Sequence, residues 1–249
     1  MLKFSGLLLV VAAGGLLSAV PAPDCRLQIT QAYHALAEAT EPGQARALHL
    51  RFNSETFFLA PGKNTESSTK ATGDLFVKGR QLYYETPDVR MWQDGRFVSS
   101  VFKRQRIVLL TRVKPEAGNV QPLLLMRDSL INSASVLSCR DVVVAGKAHR
   151  QVQLGLSPRV KARLGLRRLD FRLTDKPMRV EQVTATYMPG RIARRIILTF
   201  ATQEWLSSAP HLVKDAKSPV LDAQDKLLPA FAGYQLIDQT QAPAASRHR

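Results

Sequence analysis

The stretch "TGDLFVKGRQLYYETPDVRMWQDGRFVSSVF", residues 72–102, decides how this chain folds. Its apolar and polar residues alternate, which is the period of a β-strand rather than of a helix. Leu75 and Val77 share one face, Lys78-Gly79-Arg80 turns the chain, and Leu82 and Tyr83 follow. Asp94-Gly95 stands between Met91-Trp92 and Phe97-Val98 and predicts a hairpin closed by a type I′ turn. The large side chains face either a closed core or something the protein carries.

The flanking sequence extends the pattern. Upstream, "RALHLRFNSETFFL" (46–59) sets Leu48, Leu50 and Phe52 against His49, Arg51 and Asn53, and a polar loop at 62–69 follows. Downstream, "RIVLLTRV" (106–113) adds a strand, so the first half reads as an antiparallel meander. "NVQPLLLMRDSLINSASVLS" (119–138) breaks the alternation with Pro122 and an apolar run from Leu123 to Met126. Proline suits a first helical turn, so a short apolar helix is expected there, covered by protein or itself covering a cavity.

Strands then return in "LRRLDFRLTD" (166–175), "MRVEQVTATYM" (178–188) and "RIARRIILTF" (191–200), turned by Lys176-Pro177 and Pro189-Gly190. "LLPAFAGYQLIDQTQ" (227–241) holds a candidate last strand. Before all of these, "LQITQAYHALAEATEPG" (27–43) places Ile29, Ala32, Tyr33 and Leu36 at helical spacing and ends at Pro42-Gly43. The expected fold class is mainly β with α. A curled antiparallel sheet, an incomplete or half β-barrel, is covered by an N-terminal helix and a short helical lid.

The 249 residues suffice for one sizeable core. Residues 1–22 read as a secretory signal peptide, with Lys3 ahead of an apolar run from Leu7 to Leu17 and small residues near Ala19 and Ala22. An uncleaved anchor is the alternative. Residues 23–240 form the expected domain, and residues 241–249 a disordered tail. Cys25 and Cys139 are the only cysteines. In an oxidising compartment they are candidates for a disulfide, with two free thiols as the alternative. "APD" before Cys25 makes a poor lipid-attachment site.

The formal net charge is +15, much of it in residues 146–172 and 190–195. Such a face can meet nucleic acid, anionic lipid or acidic protein, or simply be solvated. Export argues against nucleic acid, and aromatic interleaving for single strands is missing. An anionic membrane surface is the better partner. No catalytic constellation stands out: the five histidines are scattered, without H-E-x-x-H, a G-x-S-x-G elbow or a phosphate-cradling glycine loop. No enzyme, metal site or cofactor is expected.

"GDLFVKGRQLYYETPD", the Asp94-Gly95 turn, the 119–130 insert and "VTATYMPGRIARRIILTF" resemble the outer-membrane lipoprotein carrier proteins, the LolA-like family with its LolB and RseB-type relatives. The likeness runs from about residue 28 to about 240. Gly73, Asp74, Leu75, Phe76, Val77, Lys78, Leu82 and Tyr83 match the family's first-sheet pattern in order. The carriers place Arg-Pro after that lysine. Here Gly79-Arg80 stand there, which makes Arg80 a displaced candidate for the lid latch.

The resemblance implies a periplasmic carrier in outer-membrane lipoprotein trafficking, a chaperone for acyl chains held in an apolar cavity beneath helical lids. Leu75, Val77, Tyr83, Met91, Leu169, Phe171, Ile196 and Leu198 are then the sheet-side lining, and Tyr33, Leu36, Leu123, Leu124 and Leu125 the lid. The implied partners are an acylated lipoprotein or lipid and membrane proteins on either side of the periplasm, met by a monomer. An RseB-like lipid-sensing or protein-interaction module of the same fold is the alternative. For any single lining residue, ordinary core packing is the competing explanation.

Overall fold

The structure is a computed structural model that describes residues 24–59, 65–113 and 134–240. The expected signal peptide, the lid leucines Leu123, Leu124 and Leu125, and the tail lie outside these residues. Two short helices come first, α1 (Cys25–Ala32) and α2 (His34–Ala39). The single helix expected from the apolar spacing is therefore broken at Tyr33. Asp24 caps α1, its carboxylate accepting from the backbone N–H groups of Arg26 (3.0 Å) and Leu27 (3.2 Å).

The strands follow as β1 (Ala47–Leu59), β2 (Glu66–Lys78), β3 (Gln81–Glu85), β4 (Val89–Gln93), β5 (Phe97–Phe102) and β6 (Ile107–Arg112). The second half holds β7 (Ser135–Val144), β8 (Lys147–Gly155), α3 (Pro158–Leu164), β9 (Leu166–Asp175), β10 (Met178–Tyr187), β11 (Ala193–Leu206) and β12 (Gln235–Gln239). Among the described residues they form one sheet in the order β12-β6-β5-β4-β3-β2-β1-β11-β10-β9-β8-β7. Its ends do not pair, so the sheet is curled but unclosed. Every pairing is antiparallel except β12 with β6, which is parallel and makes the sheet mixed. Register shifts in β1 at Arg51/Phe52 and Phe57/Phe58, and in β10 at Val180/Gln182 and Thr186/Tyr187, bend the long central strands.

The opening stretch turns both its faces inward, towards different cores. Leu75, Val77 and Leu82 pack with Leu48, Leu50, Leu36 and Ala39 on the helix side, the inner face. Phe76, Tyr83 and Trp92 pack on the outer face with Val101, Val108 and Leu110. Residues of the 207–234 segment, among them Ala216, Val220 and Leu221, cover that outer face. The rest of the inner core joins Ile29 and Ala32 to Val152, Leu154, Leu169, Phe171 and Leu173. Each such side chain is worth about 1.5–3 kcal/mol when taken fully out of water.

Two turns differ from expectation. The β4–β5 hairpin forms, but neither Gly95 nor Arg96 has the positive φ of type I′. Instead one oxygen of the buried Asp94 carboxylate accepts from the N–H groups of Arg96 and Phe97. Its other oxygen accepts from Ala216 N–H at 2.8 Å, anchoring the outer cover. The positive-φ pair is Ala145 (φ 49°) and Gly146 (φ 75°), in a β7–β8 hairpin where the sequence drew attention to charge rather than to strands. At the end of the 119–138 insert, Ser135–Ser138 belong to β7, not to a helix.

Candidate functional site

An apolar cavity of about 140 Å³ lies between the helix pair and the middle of the sheet. Ala32, Tyr33, Ala35 and Leu36 form its roof. Leu48 and Leu50 of β1, Val180, Val183, Ala185 and Tyr187 of β10, and Ile196, Leu198 and Phe200 of β11 form its floor. Period-two alternation supplies the floor, because Val183, Ala185 and Tyr187 point one way and their registered partners Leu198 and Ile196 point the same way. Gln203 is the polar side chain on the wall, and its amide nitrogen donates to the Val180 carbonyl at 2.6 Å.

Small residues make the space. Ala32 and Ala35 above and Ala185 below leave gaps that larger residues would close. Burial pushes the Tyr33 and Tyr187 phenols above their ordinary pKa, so both walls stay neutral at physiological pH. Tyr33 meets Phe171 edge-on with ring centroids 6.0 Å apart.

The roof is fastened at both ends. Cys25 and Cys139 are joined by a disulfide that ties the start of α1 to β7. At the far end, Gly79 N–H donates to the Ala39 carbonyl at 2.7 Å, and Gly79 has φ 56°. A left-handed residue at this β2–β3 turn is what aims the N–H at α2, and glycine takes that conformation without steric cost.

Of the expected site residues, Tyr33, Leu36, Ile196 and Leu198 meet around the cavity. Leu75, Val77, Leu169 and Phe171 sit in the inner core outside the lining, and Met91 is half-buried against the same core. Tyr83 points to the outer face instead, because its register partner is Phe76 whereas Leu82 takes the inner position opposite Val77. Arg80 lies over the β4–β5 turn, its Cδ 3.1 Å from where a Cβ on Gly95 would stand. The cavity therefore sits over β1, β10 and β11 rather than over β2 to β6. The alternation in "VTATY" with its small Ala185 was the available signal for this floor.

Gly73 of the motif also has a physical reason. A Cβ there would fall 2.4 Å from Phe52 Cζ, so the glycine seats the Phe52 ring across the β1–β2 ladder. The main polar clusters lie on the outer face. His49 is held between Asp74 (2.7 Å) and Glu204 (2.9 Å) and stacks on Phe76 at 4.2 Å. Burial would raise the Glu85 carboxyl, but bonds from Tyr83, Lys103 and Arg90 outweigh it and hold the pKa at about 2. A larger open groove, about 650 Å³, also lies on the outer face and is lined mainly by polar residues such as Asn53, Thr72 and Gln182.

Among the described residues, no group of three or more His, Cys, Asp or Glu side chains could hold a metal ion. No described helix is long and apolar enough to cross a membrane.

No protein-family model and no curated protein matches this chain. Solved structures similar to it include an uncharacterized conserved protein from Thermus thermophilus, with TM-score 0.47 and 6% identity over 87% of this chain and 100% of the other. A LolA superfamily protein from Nitrosomonas europaea is similar with TM-score 0.29 and 10% identity over 72% of this chain and 94% of its own. MucB of Pseudomonas aeruginosa, solved in complex with MucA, is similar with TM-score 0.28 and 12% identity over 79% of this chain and 63% of its own.

Proposed function

We propose that this protein is a periplasmic, non-catalytic binder of acyl chains, exported by residues 1–22. It would carry a lipid or the lipid anchor of a lipoprotein between the helix pair and the sheet. The observation that carries this reading is the cavity: about 140 Å³, with thirteen of its fourteen lining residues apolar. A dry engineered cavity of about 150 Å³ holds benzene, so this one takes roughly six carbons as it stands. Each methylene seated there is worth about 0.8 kcal/mol.

A full-length chain therefore needs the roof to shift. The break at Tyr33 divides a disulfide-tied α1 from an α2 held at its end by a backbone hydrogen bond, so opening by α2 is the less costly motion. The modest volume also supports a second reading. The same cavity could seat one apolar side chain of a partner protein, as an interaction module would.

Native mass spectrometry of protein purified from the cell envelope tests the proposal. The expected result is an adduct of acyl-chain mass that is lost on organic extraction. A bare mass, together with failure of the purified protein to take up added palmitate, would refute the carrier and leave the interaction module.

A further inference from the structure

The floor of the cavity runs outward along β11. Phe200, Leu198 and Ile196 line it, Arg194 continues the same face by alternation, and Ile192 follows in the β10–β11 loop. Ile192 is 83% exposed, an extreme for a large β-branched side chain. Two further exposed apolar residues join it there, Met188 (39%) from the same loop and Leu164 (42%) from the end of α3. The two segments touch: Met188 N–H donates to the Gly165 carbonyl at 2.8 Å, and the Arg191 guanidinium lies over Gly165.

Single exposed apolar residues need no explanation, but three gathered at one tip do. Around them stand Arg167, Arg191 and Arg194, none of which has an ion-pair partner among the described residues. Residues 134–206 as a whole carry fourteen Lys or Arg against five Asp or Glu. A purely solvated basic face has no use for Ile192, and an acidic polymer offers it nothing apolar to enter. An anionic bilayer offers both, headgroup charge for the arginines and acyl interior for the wedge.

We infer that the Leu164–Met188–Ile192 tip is a docking point for anionic lipid bilayers and brings the Tyr187–Ile196 end of the cavity to the membrane. The second half of this statement rests on the acyl-binding reading, and the first does not.

The test is sedimentation with vesicles of phosphatidylcholine alone or mixed with phosphatidylglycerol, using protein released from the cell envelope. Palmitate uptake in solution is measured in parallel. Binding is expected only to the mixed vesicles and is expected to weaken with salt. Neutralising two arginines near the surface, Arg191→Gln with Arg194→Gln, lowers partitioning about thirtyfold. Ile192→Asp, at an exposed position that does not threaten folding, lowers it at least about tenfold.

The control is Lys176→Gln with Arg179→Gln in and beside the β9–β10 turn. This pair removes the same charge at the opposite end of the ten-residue β10. That end lies about 33 Å away, beyond the roughly 10 Å screening length, so less than a twofold change is expected. Equal loss from the two pairs would overturn the tip in favour of diffuse charge. An unaffected Ile192→Asp, or equally tight binding to short DNA duplexes, would overturn the bilayer as partner. Palmitate uptake without vesicle binding sinks the tip and spares the cavity, whereas vesicle binding without uptake does the reverse.

Discussion

Filling the cavity from its roof tests at once whether the space is empty and whether it is where the ligand binds. Ala35 is half-buried in α2 and faces the space, so Ala35→Leu places three more carbons where nothing now stands. At about 0.8 kcal/mol per buried carbon the gain is about 2.4 kcal/mol, reduced by about 0.5–1 kcal/mol of leucine rotamer entropy. A net stabilisation of about 1.5 kcal/mol raises the melting temperature by roughly 3–6 °C in a protein of this size. The same three carbons exclude three carbons of ligand, so palmitate affinity should fall about fiftyfold. Thermal melts and fluorescence displacement of an apolar dye read the two effects separately. A destabilised variant would mean that the roof already touches the floor. A stabilised variant with unchanged affinity would mean that the ligand binds elsewhere, and the acyl-binding argument would fail with it.

Three other substitutions probe the scaffold. Gly73→Ala forces the Phe52 ring from its seat and should cost about 1–3 kcal/mol in urea unfolding, with partial rescue by adding Phe52→Leu. Asp94→Asn sets an amide N–H against a backbone N–H, at Ala216 or in the β4–β5 turn, and should cost about 1–3 kcal/mol. It should also make the 207–234 cover an early site of limited proteolysis, and unchanged cleavage would show that the cover is held by other contacts. Glu85, with a folded pKa of about 2 against an ordinary 4.5, contributes stability that is fully present above 4.5 and lost as pH falls through about 2. Stability measured across that window should decline less steeply for Glu85→Gln than for the parent chain.

Strand periodicity, the Pro-Gly and Asp-Gly breaks and the amphipathic spacing of the first helical segment were legible because each depends on local spacing, and the cysteine pair because two cysteines allow a single pairing. Period two places Leu75 opposite in sense to Phe76 whatever the rest of the chain does. It leaves open which face is wet, and around Leu75 and Phe76 neither is, because residues 207–234 return over one face while α1 and α2 cover the other. The parallel docking of β12 on β6 joins residues more than a hundred positions apart, with no turn between them to announce it.

The cavity was the least legible feature. The family resemblance implies Ile196 and Leu198 as lining alongside Leu75 and Val77, and apolar alternation is common to all four, yet only the first pair borders the cavity. A void is made by what neighbours fail to fill. Whether Ala32, Ala35 and Ala185 converge from α1, α2 and β10 is decided by strand register and by the two fastenings of the roof, Cys25–Cys139 and Gly79–Ala39. Local sequence determines which side chains can pack. Only the long-range contacts determine where packing stops.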